Sequence, residues 1–269
     1  MVGQEPKGGL SIEIAAQGYR NGVLESRSVL VAREVAYTLF VNDREVLSIA
    51  TLPSDLEELF IGFLASENVL LSHDEVNDYM VDHDNKLVVV TLNVPDERLE
   101  RLERKGMLTS GCAGGMVFSA EIAATERPTR DEKFKVPCSA ILERMYDLDT
   151  YKGLYRTTKG VHGAALATLE ETLTIREDLG RHNAVDKIVG HCFLNRIPTK
   201  DKLLLSTGRI TSEVLTKTSR AGFPIVISLS SVSSMALLLA SQSSVDVVSY
   251  VRARSFNYFS YGGVELVEK

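Results

Sequence analysis

One thiol stands apart from the rest of the chain. Cys112 sits within Ser110-Gly111-Cys112-Ala113-Gly114-Gly115. Glycine opens backbone conformations closed to other residues and lets another molecule come close. A thiol in such a loop is exposed, and exposed thiolates are the reactive ones. The competing reading is a small apolar residue in a tight turn. Cys192 falls on an apolar helical face with Val185 and Val189 and reads as structural; Cys138, after Pro137, leans the same way.

The densest polar cluster is Glu177-Asp178-Leu179-Gly180-Arg181-His182-Asn183-Ala184-Val185-Asp186-Lys187. Asn183 is placed to cap a helix, with Asp186 at the third helical position. Arg181 and His182 then stand at a helix N-terminus, where free N–H groups and the dipole favour an anion. The alternative is a capped helix with solvated charges. Thr207-Gly208-Arg209, with Thr211 and Ser212, repeats the arrangement at the next helix, and Arg252 and Arg254 follow the last strand. Arginine is the natural bidentate partner of phosphate. Three arginine-bearing loops at one sheet edge would make a polyanion site. His162, in Gly160-Val161-His162-Gly163, reads as a core or edge residue of a strand unless the fold brings it to Cys112. His73 and His83 read as loop residues.

Other chemistries fail on their residue requirements. A zinc nucleobase deaminase needs H-x-E and then P-C-x-x-C. Here His162-Gly163-Ala164 lacks the glutamate, Pro137-Cys138-Ser139-Ala140-Ile141 lacks the second cysteine, and the order is reversed. No metal site is expected. No Walker motif, G-x-G-x-x-G fingerprint or G-x-S-x-G elbow occurs. Three cysteines at these spacings match neither a disulfide framework nor a zinc ribbon. No apolar run reaches the roughly 18 residues that span a bilayer, and residues 1–10 lack the apolar stretch of a secretory signal. The expectation is a cytoplasmic chain with free thiols.

The elements that must carry these residues are legible in outline. The chain has 269 residues, 44% hydrophobic and 25% charged, enough for a core without disulfides or metals. Residues 1–108 hold 10 Lys+Arg against 19 Asp+Glu, a net charge of −9; residues 109–269 hold 20 against 17, a net of +3. The split suggests two units, an N-terminal α+β domain over 1–108 and an α/β domain over 109–269. The second half is not basic enough for a nucleic-acid stripe. In the first half, strands are expected over 23–31, 35–41 and 45–51, then a helix opened by a Ser54/Glu57 capping box, a hairpin over 75–81 and 87–94, and a helix over 96–105. In the second half, helix 139–148 and strands 161–169 and 172–177 precede helix 183–195. Strand 203–206, helix 212–221, strand 225–229, helix 233–241 and strand 245–251 follow. That β-α-β-α-β order implies a parallel sheet, whose ligands bind beyond the carboxyl ends of the strands.

These segments resemble the formate dehydrogenase accessory sulfurtransferase family (FdhD). The likeness lies in the 177–187 string, in Ser206-Thr207-Gly208-Arg209-Ile210-Thr211-Ser212-Glu213, in Arg220-Ala221-Gly222-Phe223-Pro224-Ile225 and in Gly160-Val161-His162-Gly163-Ala164-Ala165-Leu166. In the first half, Asp55-Leu56-Glu57-Glu58-Leu59 with Gly62-Phe63-Leu64 is similar to the family's early helix. The resemblance implies a cytidine deaminase-like three-layer α/β core with a smaller N-terminal domain, commonly as a homodimer. It implies a sulfurtransferase, carrying persulfide sulfur from a cysteine desulfurase to a molybdenum (or tungsten) bis-guanine-dinucleotide cofactor that formate dehydrogenase requires. Cys112 matches the persulfide-bearing cysteine. Many members hold a second cysteine where this chain has Gly115, so carriage survives but a disulfide within the loop does not. Tyr250-Val251-Arg252-Ala253-Arg254-Ser255 matches the cofactor-binding stretch, without the two glycines often found after the first arginine. Together with Arg181, His182, Gly208 and Arg209 these residues form the expected cofactor site. The alternative function is a non-catalytic guanine-nucleotide or cofactor-binding chaperone for formate dehydrogenase maturation.

Overall fold

The computed structural model describes residues 9–100, 102 and 134–268. A hairpin of β1 (Ser11–Arg20) and β2 (Val23–Ala32) comes first. Four strands follow, β3 (Val35–Val41), β4 (Arg44–Thr51), β5 (Val76–Asp82) and β6 (Leu87–Leu92), in the order β4-β3-β6-β5. Helix α1 (Leu56–Ser66) covers this sheet, burying Leu56, Leu59, Phe60 and Leu64 against Leu39, Val88 and Val90. Such spacing of apolar residues puts them on one helical stripe. The expected Ser54 capping box does not form. Asp55 is the N-cap, in the left-handed region at φ 51°, and the turn it makes leaves the helix start without a side-chain cap. The capping box of this region is instead Ser72 with Glu75, on a short 3-10 turn.

The second half is built on six strands in the order β13-β12-β11-β10-β8-β9. They are β8 (His162–Ala167), β9 (Thr172–Asp178), β10 (Leu203–Ser206), β11 (Ile225–Ser228), β12 (Asp246–Arg252) and β13 (Ser255–Phe259). β10, β11 and β12 are parallel, as expected, while β8 runs antiparallel to β10 and β13 to β12. Helix α2 (Cys138–Thr150) and the short α3 (Leu154–Thr158) precede β8. Helices α4 (Arg181–Leu194), α5 (Ser212–Arg220) and α6 (Ser234–Ser243) connect the later strands. Two of the sheet's neighbours escape sequence reading: β7 (Phe134–Pro137) pairs in parallel with β14 (Val264–Val267).

Alternation along the strands divides the interior into two layers. Leu204, Val226 and Val247 face α4, α5 and α6. Leu203, Leu205, Ile225, Ile227 and Val248 face Ile141, Met145 and Leu148 of α2. Strands buried on both faces read as unbroken apolar runs, which is why 203–206 and 225–228 are legible at sight. The result is a helix–sheet–helix stack.

The two halves meet along α1 and α4, and two glycines set their separation. A Cβ on Gly62 would lie 1.8 Å from the Asp186 carbonyl oxygen, and one on Gly190 would lie 1.8 Å from that of Glu58. Only hydrogen fits at either crossing. The expected boundary near 108 lies outside the described residues.

Candidate functional site at the carboxyl ends of the central sheet

A cavity of about 1000 Å³ opens where β10, β11 and β12 end. Thr207 follows β10, Leu229 and Ser230 follow β11, and Tyr250 to Ala253 finish β12 on its lining. Because β8 and β9 pair antiparallel, the start of β8 and the end of β9 reach the same edge. They contribute His162, Gly163 and Glu177. Thr207 is stitched to β8 by reciprocal hydrogen bonds: Gly163 N–H donates to its hydroxyl at 3.0 Å, and Thr207 N–H donates to the Gly163 carbonyl at 2.9 Å.

The predicted residues fall into three groups. Tyr250, Val251, Arg252 and Ala253 line the cavity directly. The Arg252 guanidinium donates to the carbonyls of Leu229 and Val251 at 2.7 and 2.8 Å, which fixes it at the rim. Arg181 and Arg209 stand beside His162: burial first, then the positive charges of Arg181 and Arg209, hold the His162 imidazole below its usual range and neutral. Arg181 occupies the first position of α4, behind Gly180. Its stem passes so close to Gly208 that a Cβ there would meet the Arg181 Cβ at 2.8 Å. The buried Nε of Arg181 has no hydrogen-bond partner. A buried donor left unsatisfied costs about 1–3 kcal/mol. Arg254 and Ser255 are exposed at the β12–β13 turn, off the cavity lining. Cys112 lies outside the described residues.

The structure separates the two histidines. His162 lines the cavity. His182 turns to α5, with Nε2 3.3 Å from the Thr211 hydroxyl and Nδ1 3.2 Å from the Glu213 carboxylate. Burial, then the charges of Arg181 and Lys217, bring its pKa down to about 3. Its contact with Glu213 is therefore made by a neutral imidazole at neutral pH.

The remaining charged residues of the 177–187 cluster are paired rather than solvated, and Asn183 is not the cap of the helix. The helix starts at Arg181, with Gly180 as its N-cap. Asn183 donates instead to Asp178, at 2.9 Å, and to the Ala50 carbonyl, at 3.1 Å. Asp178, fully buried, accepts from Lys187 at 2.8 Å, Gly180 N–H at 3.2 Å, Leu52 N–H at 3.3 Å and the Thr51 hydroxyl. Asp186 accepts from Lys217 at 2.8 and 3.0 Å and from the Ser66 hydroxyl at 2.8 Å. Burial pushes the Lys217 ammonium down, but Asp186, Glu67 and Glu213 around it prevail and keep it charged. These contacts reach residues 50–52 and 66 and tie the first half of the chain to the second.

The cavity also has a wall that sequence reading missed. Tyr146, Tyr151, Tyr155 and Lys159, from α2 and the segment after it, line it. Three tyrosines within ten residues were the available signal. Of the other cysteines, Cys192 is buried, with its thiol pushed up to about 12 by burial, as its helical face implied. No group of three potential metal ligands occurs among the described residues.

The model of the FdhD/NarQ family matches residues 32–263. The chain belongs to that family. It is 34% identical over 243 residues to the sulfur carrier protein FdhD of Bacillus subtilis, an alignment covering 90% of this chain and 93% of the relative. It is 32% identical over 243 residues to the sulfur carrier protein FdhD of Staphylococcus aureus, covering 90% and 92%. A crystal structure from Desulfotalea psychrophila, described as that of a formate dehydrogenase accessory protein, matches with a TM-score of 0.77 and 29% identity. The match covers 94% of this chain and 97% of that one. In this FdhD/NarQ member no helix among the described residues is long and apolar enough to cross a membrane.

Proposed function

We propose that the chain carries sulfur to a guanine-dinucleotide form of the molybdenum cofactor on behalf of formate dehydrogenase. The observation that carries this reading is the placement of Arg252 and His162 on the lining of one large cavity at the strand ends, with Arg181 and Arg209 close enough to His162 for their charges to act on it and a buried Arg181 nitrogen without a hydrogen-bond partner. Diphosphate needs that kind of donor set. Relatives named sulfur carrier proteins, and a structural neighbour described as a formate dehydrogenase accessory protein, support the role. The helix–sheet–helix stack supports a cytidine deaminase-like core, and the charge asymmetry of the sequence supports a domain division near residue 108.

In this reading the thiolate of Cys112 attacks the outer sulfur of a cysteine desulfurase persulfide. A sulfur–sulfur bond forms to Cys112 as the donor's sulfur–sulfur bond breaks, and the desulfurase cysteine leaves as thiolate. No electrons are gained or lost overall. The cofactor is the client rather than a resident group: Arg181, Arg209 and Arg252 hold its phosphates, Gly208 lets Arg181 approach, and Tyr250, Val251 and Ala253 form the floor. Arg254 and Ser255 serve at the rim, His182 holds α4 to α5 behind the arginines, and His162 is the neutral hydrogen-bonding group inside. The working unit is a cytoplasmic homodimer.

The test is incubation with desulfurase and cysteine, followed by mass spectrometry of the intact protein. A gain of one sulfur atom that disappears in Cys112→Ala, together with loss of formate dehydrogenase maturation, is expected. Maturation that survives Cys112→Ala but fails in Arg209→Ala would replace the carrier by a cofactor-binding chaperone, the reading that Gly115 in place of a second cysteine favours.

A further inference from the structure

Of the aromatic lining of the cavity, phosphate binding and sulfur carriage use only Tyr250, in the floor. The chain holds nine tyrosines, and four of them line this one cavity: Tyr146, Tyr151, Tyr155 and Tyr250. All four are at least 44% exposed. Tyrosines that line a concavity yet keep much of their surface in solvent are built for an incoming apolar plane rather than for the core.

The backbone at Tyr250 points the same way. Tyr250 adopts φ 54°, in the left-handed region, although it is not glycine. The pairing of β12 with β13 shifts register between Ser249 and Arg252, so the strand bulges at this residue. A hydrogen bond from Tyr250 N–H to the Ser230 carbonyl, 3.0 Å, holds the distortion. The left-handed conformation costs a side-chain-bearing residue something, and it persists where the surroundings over-determine it. Here it leaves Val251 buried and Tyr250 on the cavity lining.

The opposite contribution is also held in place. The Glu177 carboxylate accepts from Leu154 N–H at 2.6 Å and Tyr155 N–H at 2.9 Å, anchoring the start of α3 at the cavity. The Lys159 ammonium lies 4.5 Å from the centre of the Tyr155 ring. One wall thus carries aromatic rings and a cation, and the arginines occupy the strand ends.

We propose that these tyrosines, Tyr250 and Tyr155 foremost, are the base-holding part of the site: they stack the planar nucleobase of the bound nucleotide while the arginines take its phosphates. The inference rests on the cavity being the nucleotide site of the preceding section. Stacking is tolerant of which base is presented, since every base has a π face.

GDP and inorganic pyrophosphate are the probes, with affinities measured by calorimetry on the full chain. Loss of a stacking side chain costs roughly 5- to 150-fold per base contacted. Tyr250→Ala and Tyr155→Ala should each weaken GDP by a factor in that range and leave pyrophosphate within about twofold, while Tyr155→Phe keeps GDP affinity. ADP should bind within a few-fold of GDP. If both alanine variants bind GDP as the parent does, or lose GDP and pyrophosphate alike, the stacking role is overturned and the phosphate site stands. If the parent protein binds neither probe, the nucleotide site itself falls and the stacking role with it.

Discussion

The seam between the two halves and the cavity at the strand ends draw their charged residues from the same eleven-residue string, and they use them in opposite ways. At the seam, Asp178 and Lys187 are fully buried and every contact is short, and Asp186 and Lys217 repeat the pattern. Beside His162 of the cavity, Arg181 keeps a buried nitrogen without a partner, and Arg209 is exposed. Helical geometry makes the division. Arg181 and His182 occupy the first turn of α4, while Asp186 and Lys187 lie more than a turn later on the sides facing α5 and the first half. Within this string the paired charges join the two halves, and the arginine with an unpartnered nitrogen stands beside the cavity's His162.

The sharpest attempt to break this contrast removes a seam charge. Asp178→Ala leaves Lys187 buried without its partner, and breaking a buried pair in this way costs about 3–5 kcal/mol. Urea denaturation should show a loss of that size, and a variant as stable as the parent would place Asp178 outside the architecture. Arg181→Ala is the converse. Its stability should not fall, since the substitution also removes a buried donor without a partner, while GDP affinity falls about 10- to 100-fold, the worth of a charged hydrogen bond. Destabilisation without loss of binding would erase the distinction between the two regions.

A smaller effect is expected from Gly190→Ala, whose methyl group must push α1 from α4 at the Glu58 carbonyl. Overpacking of this kind costs about 1–3 kcal/mol, readable as a lower melting temperature with nucleotide binding retained. The least effect concerns pH. His182 is neutral in the folded protein down to about 3, whereas an ordinary histidine takes up its proton near 6.5. Between those values the unfolded chain binds the extra proton, so stability falls as pH falls through that window. One such group contributes at most about 1.4 kcal/mol per pH unit. Thermal melts from about pH 7 to about pH 5 should show the slope, and His182→Asn should flatten it. An unchanged slope in the variant would assign it to other groups.

Much of the framework was legible because burial writes a pattern. The strands at 203–206 and 225–228 are apolar on both faces, and the apolar residues of α1 recur at helical spacing. β1 was missed because Ala15, Ala16, Gln17 and Gly18 give its middle little strand signal, whereas β2, no less exposed, carries Val23, Val29 and Val31. β7 and β14 were missed because their partners are more than a hundred residues apart and each is four residues long. The Ser54 box failed because Asp55 turns into the left-handed region, which residue types alone do not announce. Among site residues, the arginines at the strand ends were legible from their place after predicted strands. The choice between His162 and His182 was not, because neighbouring elements determine which way each faces. The tyrosine wall drew no reading from the sequence, since its partner surface, the end of β12, lies about a hundred residues away.

By itself the sequence determined the order of the elements, which strands are interior, the family, and which positions carry arginine next to a strand end. Those follow from local periodicity and residue chemistry. Only the tertiary structure decided which charges of the 177–187 string are consumed in pairing and which remain open, and that the antiparallel β8 and β9 bring His162 and Glu177 to the arginines' edge. Pairing and burial depend on partners distant in the chain, and a residue's type constrains what it can bond to without saying what stands beside it.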